Sequence, residues 1–84
     1  MKEMETEDLV SILMVYVSRE TRDFTTAKRL AVERYMRTLL RALTRAELEL
    51  ALKVCQGSQS LDPDLAFKVN QASKGYDRYM SGKR

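Results

Sequence analysis

The sequence predicts an all-α fold, a small bundle of three or four helices formed by a single domain of 84 residues. Glycine and proline occur only three times and once, whereas a fold built from many short strands would need more turn-forming residues. Apolar residues recur at helical spacing, and capping signals precede three of the expected helices. We expect residues 1–84 to form one domain with a modest core, and residues 1–6 and 81–84 to be frayed ends.

The first predicted helix is Glu7–Glu20, in which only Ser11 and Ser18 interrupt a long apolar run. At 100° per residue these two serines lie within about 20° of each other, so the helix would be apolar almost all round. Such a helix is either central in the core or shared with a partner. Its β-branched residues make a buried strand the competing interpretation, but the acidic first turn favours a helix.

If this helix is shared, its candidate apolar interface consists of Leu9, Ile12, Leu13 and Tyr16. The partner would be a second copy of the chain, giving a homodimer, or a helix of another protein. The alternative, a helix central in the core of one molecule, is slightly favoured.

The second helix is predicted to begin after Thr25 or Thr26 as the N-cap and to end near Ala42. Its expected core face is formed by Val32, Tyr35, Met36, Leu39, Leu40 and Leu43. On the opposite face, arginines follow an i, i+3, i+7, i+11 pattern at Arg34, Arg37, Arg41 and Arg45. Leu30 does not fit this division, since it falls on the polar side.

A capping box, Thr44 as the N-cap and Glu47 three residues later, predicts a third helix that continues to about Cys55. Gly57 is expected to end this helix by adopting the left-handed conformation. The connection between the second and third helices is therefore very short, and the chain must bend sharply there.

The fourth helix has the clearest start signal, because Asp62 can cap it and Pro63 suits its first position. We expect it to extend to about Met80. A narrow apolar seam recurs along it at Leu65, Val69, Ala72, Tyr76 and Tyr79.

The composition argues against an enzyme, a metal site or a bound cofactor. The chain has no histidine, which removes the commonest general base and metal ligand, and its single cysteine, Cys55, forms no intramolecular disulfide. Cys55 is predicted to be a small buried apolar residue, as is usual in a reducing compartment. No signal peptide is evident, and the apolar run 9–17 is shorter than the roughly 20 residues that span a bilayer. We expect a cytoplasmic protein with no membrane contact and no small-molecule substrate.

Positive charge is concentrated in the middle of the chain, where residues 24–45 contain six basic residues and one acidic residue. The candidate partner contacts are Arg29, Arg34, Arg37, Arg41 and Arg45, because arginine forks suit carboxylates and phosphates. The favoured function is a non-catalytic regulator or adaptor that binds another protein. Nucleic-acid binding through the arginines and a structural subunit of a larger assembly are the alternatives, and the arginines can also be simply a solvated face.

Overall fold

The computed structural model describes residues 4–82 and consists of four helices joined by short connections. They are α1 (Thr6–Glu20), α2 (Thr26–Arg41), α3 (Arg45–Ser58) and α4 (Pro63–Ser81). Residues 4–82 contain no strand, so the all-α prediction is confirmed and the first apolar segment is a helix. Thr6 and Ser81 are helical, and the remaining predicted frayed ends at 1–3 and 83–84 lie outside the described residues.

The predicted caps determine where three of the helices begin. The Thr25 hydroxyl accepts a hydrogen bond from the backbone N–H of Lys28 at 3.3 Å. At α3, the Thr44 hydroxyl accepts from the Glu47 N–H at 3.1 Å, and the Glu47 carboxylate accepts from the Thr44 N–H at 2.8 Å. The Asp62 carboxylate caps α4, accepting from the Asp64 N–H at 2.8 Å. Each cap satisfies N–H groups that have no partner within the helix.

The predicted end of α3 at Gly57 is wrong, because the helix continues to Ser58 and the left-handed residue is Gln59, with φ of 60°. Local side-chain bonds account for the difference. The Ser58 hydroxyl donates to the carbonyl of Val54 at 3.0 Å, and the Gln59 amide donates to the carbonyl of Gln56 at 2.8 Å. The Gln59 bond satisfies a carbonyl group of the last turn that has no partner within the helix, so this end does not require a glycine cap.

The core is organised around α1, which packs on both α2 and α3 and makes a smaller contact with α4. Its buried residues are Leu9, Val10, Leu13, Met14 and Val17. At the end of α1, the buried Thr21 hydroxyl donates to the carbonyl of Val17 at 3.1 Å, so the turn into α2 leaves no unsatisfied hydroxyl. α1 is therefore the central helix of the molecule.

Two predicted core tyrosines are exposed instead. Tyr35 lies at the margin of the buried face of α2, and Tyr79 lies near the end of α4. α4 runs antiparallel to α2, because Lys28 at the start of α2 forms an ion pair of 3.0 Å with Asp77 near the end of α4. The last turn of α4 therefore extends beyond the start of α2, where little of the bundle remains to cover Tyr79.

The molecule is elongated, with principal extents of 54 × 23 × 19 Å and a radius of gyration of 13.6 Å. A compact domain of this length is expected to have a radius of gyration of about 12 Å. The molecule is elongated because α4 packs mainly on α2, whereas α3 packs mainly on α1. Within residues 4–82 the contact between α3 and α4 is at most minor. A surface groove is left between these two helices.

Candidate binding surfaces

The arginine face predicted for the second helix is only partly continuous. Arg45 is the first residue of α3, so the turn at 42–44 separates it from the three arginines of α2. Lys28 also lies apart, since it pairs with Asp77 and its ammonium group lies 4.7 Å from the centre of the Phe24 ring. The arginine stripe therefore consists of Arg34, Arg37 and Arg41, with Arg29 at one margin and Arg45 beyond the turn.

Three of these arginines are paired with carboxylates of the same molecule. Arg29 pairs with Glu33 at 3.2 Å, Arg41 with Glu7 at 3.0 Å, and Arg45 with Glu49 at 3.3 Å. Glu33 is held by Arg29 and also by the Ser18 hydroxyl, which donates to it at 2.9 Å.

The N-terminal segment lies against the end of the stripe. Glu7, in the first turn of α1, receives hydrogen bonds from two nitrogens of Arg41. The backbone carbonyl of Met4 accepts a hydrogen bond from Arg45. The acidic start of the chain therefore neutralises the part of the stripe nearest the α2–α3 turn.

Arg34 and Arg37 differ from the others, because neither guanidinium has an ion-pair or hydrogen-bond partner among residues 4–82. Leu30, the residue that did not fit the predicted pattern, is 61% exposed and lies about one turn before Arg34 on the same side of the helix. At 100° per residue these three side chains fall within about 60° of one another. Together, Leu30, Arg34 and Arg37 form what we call the outer face of α2.

The candidate interface residues of α1 lie largely inside the bundle. Leu9 and Leu13 are core residues, and Ile12 and Tyr16 are partly buried against that core. The side of α1 that remains exposed presents Ser11 and the half-exposed Val15.

A groove of about 280 Å³ lies between the start of α4 and the corner formed by α2 and α3. Its apolar lining consists of Leu39, Leu43, Leu50, Ala51 and Leu65. Leu50 is 65% exposed, and Leu39 and Leu43 are only partly buried, so the apolar surface is accessible to another molecule. Leu39 projects about 180° away from Leu30, which places the groove on the opposite side of α2 from the outer face.

The rim of this groove is negatively charged. It is formed by Glu47, Asp62 and Asp64, with Lys68 as the single basic residue. The backbone and side-chain hydrogen bonds to Thr44 lower the pKa of Glu47, so this carboxylate is charged at neutral pH. The starts of α3 and α4 stabilise these carboxylates, because helix N-termini carry partial positive charge. We refer to this feature as the acidic-rimmed groove.

Cys55 is buried, as predicted, and its sulfur accepts a hydrogen bond from the Asp62 N–H at 3.1 Å. Burial raises the pKa of the thiol above its ordinary value. The thiol is therefore protonated at neutral pH and acts as a packing group between α3 and the start of α4. Residues 4–82 contain no cluster of three or more side chains suited to holding a metal ion.

The sequence indicated the arginine stripe but not the groove. Leu50, Asp62 and Asp64 belong to different helices or caps, and nothing in their spacing places them together. Only the position of Leu50, off the core side of α3, could have suggested an exposed apolar residue.

None of the four helices described in residues 4–82 combines the length and the apolar character that crossing a bilayer requires. Comparison with protein-family models gives no match, and comparisons with curated proteins and with solved structures give no significant match.

Proposed function

We propose that this chain is a non-catalytic binding protein, a cytoplasmic regulator or adaptor that recognises an acidic segment of another protein through the outer face of α2. The observation that supports the proposal is the exposure of Leu30 beside Arg34 and Arg37, two arginines that have no partner in residues 4–82. Leucine supplies an apolar anchor, and the two guanidinium groups are directed at carboxylates.

The small number of unpaired arginines favours a protein over nucleic acid. A protein that neutralises two phosphates loses affinity with a log–log salt slope of about 1.8, so a fourfold rise in salt weakens binding only about tenfold. Such a contact is weak, since specific nucleic-acid binders use many more phosphates. No exposed aromatic residue lies among Leu30, Arg34 and Arg37 on which a base could stack.

The chemistry of the chain supports a non-catalytic role. With no histidine, a serine or cysteine nucleophile has no imidazole base. The one thiol is buried with a raised pKa, so it is not an activated nucleophile.

Nucleic-acid binding is the second candidate function, and the exposure of two arginine ion pairs supports it. The ion pairs of Arg41 with Glu7 and of Arg45 with Glu49 have side chains that are 38–64% exposed. Exposed pairs contribute about 0–1 kcal/mol each, so phosphates could compete for these arginines at low salt.

The deciding experiment titrates the protein into two fluorescent probes, an acidic amphipathic peptide of leucine, alanine and glutamate, and a mixed-sequence DNA duplex. Both titrations are repeated with Leu30→Ala, with Arg34→Ala/Arg37→Ala and with the control Val15→Ala, which truncates a half-exposed residue of α1. We expect peptide binding to weaken in the first two variants and to persist in the control. The leucine is the discriminating residue, because a phosphate backbone offers no apolar surface to it.

Two outcomes would contradict the proposal. DNA binding at near-physiological salt that needs the arginines but not Leu30 would reassign the outer face of α2 to nucleic acid. Peptide binding that neither variant weakens would remove this face from the function.

A further inference from the structure

We infer that the acidic-rimmed groove is a second docking site, which accepts a basic amphipathic helix of a partner protein. It lies on the opposite side of α2 from the face proposed above and has the opposite charge. The inference therefore goes beyond the proposed function, and either can fail without the other.

The apolar lining indicates what the centre of the partner must be. Three leucines are accessible in the groove, and a partner that covers them gains free energy because it removes their apolar surface from water. The volume of about 280 Å³ lies just below the range typical of small-molecule pockets, and it suits two or three apolar side chains of a macromolecule.

The rim indicates the charge of the partner. Three carboxylates and one ammonium group surround the lining, a local excess of negative charge on a chain whose net charge is +3. Glu47 is ionised at neutral pH, and its hydrogen bonds with Thr44 lower its pKa further. Lysine or arginine flanking the apolar side chains of the partner would meet these carboxylates, which favours binding and selects against acidic segments.

The fold indicates the conformation of the partner. Residues 4–82 contain no strand, so the groove offers no sheet edge on which an extended peptide could complete its backbone hydrogen bonds. A helix satisfies its own backbone and presents apolar side chains from one face, as in other helix-in-groove complexes.

The test uses two labelled synthetic peptides of the same length and the same leucine and alanine positions, one with lysine and the other with glutamate at the remaining sites. Each is titrated with the full chain by fluorescence anisotropy. The key variant is Leu50→Lys, which places a positive charge in the groove and leaves helix propensity nearly unchanged. Its matched control is Phe67→Lys, at a position on α4 that is 59% exposed and lies outside the groove.

We expect the lysine peptide to lose at least tenfold in affinity with Leu50→Lys and to be little affected by Phe67→Lys. Asp64→Asn should weaken it about threefold, with a smaller effect at high salt. The affinity of the glutamate peptide should not change with Leu50→Lys. If the proposed function holds, Arg34→Ala/Arg37→Ala should lower it. Circular dichroism confirms that each variant is folded.

Three results would overturn the inference. Leu50→Lys and Phe67→Lys could weaken the lysine peptide equally, which would mean a diffuse charge effect. The lysine peptide could fail to bind the wild-type protein at all. The wild-type chain could self-associate in sedimentation velocity in a manner that Leu50→Lys abolishes, which would assign the groove to a second copy of the chain.

Discussion

Leu13→Ala provides the most direct test of the assignment of α1 as the central helix. Leu13 is completely buried, and its side chain contributes to the core between α1, α2 and α3. Truncation removes about three methylene equivalents at about 0.8 kcal/mol each and leaves a cavity, so we expect a loss of about 3 kcal/mol or more. The free energy of unfolding of a chain this size is roughly 4–13 kcal/mol, so this loss is a large part of it.

The matched control is Val15→Ala on the exposed side of the same helix. Val15 is 50% exposed, so its truncation costs only about half of the hydrophobic free energy that a fully buried valine would lose. The higher helix propensity of alanine offsets most of this cost. We expect a change within about 0.5 kcal/mol.

Urea unfolding followed by circular dichroism at 222 nm measures both variants. With a slope of about 1 kcal/mol per molar urea, Leu13→Ala should lower the unfolding midpoint by about 3 M. A loss below about 1 kcal/mol, or an equal loss in the two variants, would refute the packing described for α1. Dependence of the midpoint on protein concentration would instead indicate that the folded chain self-associates.

Three further predictions concern individual side chains. The pKa of Glu47 is lowered in the folded chain, so the ionised carboxylate stabilises the fold fully above the ordinary pKa of 4.5, and this stabilisation is lost as pH falls through the folded pKa. Glu47→Gln should therefore make the free energy of unfolding, measured with urea, depend less on pH on the acid side. Cys55 should react with a thiol reagent at least about 100-fold more slowly in the folded chain than in urea, because it is buried and its pKa is raised, and equal rates would contradict that burial. Glu7→Gln should release Arg41 and strengthen binding of the glutamate peptide about twofold to threefold, whereas Asp23→Asn, with the same change in net charge, should have a smaller effect.

Local signals were sufficient to predict the helices. A capping box or an Asp-Pro start acts within four residues, so Thr44, Glu47, Asp62 and Pro63 specify the starts of α3 and α4 without knowledge of the fold. The distribution of apolar residues likewise identified most of the buried face of α2. The end of α3 was missed because glycine only permits a left-handed cap, and the left-handed residue is Gln59, whose side chain bonds the carbonyl of Gln56.

The candidate surfaces depend on contacts between residues far apart in sequence. Arg41 and Glu7 are 34 positions apart, and only the packing of α1 on α2 brings them together. The groove likewise exists because α4 packs mainly on α2 and at most slightly on α3, an arrangement that no local pattern encodes. The sequence could therefore identify the arginines as a group but not which of them remain unpaired.

The two walls of the acidic-rimmed groove belong to helices that have no extensive packing contact with each other. α3 packs mainly on α1 and α4 mainly on α2, so beyond the hydrogen bond between Asp62 and Cys55 little holds the two walls together directly, and local opening of α4 would separate them. Opening of this kind would be visible as faster amide hydrogen exchange in α4 than in α1. A helix that occupies the groove would join the two walls, so its binding should slow exchange in α4 well beyond the residues that it touches.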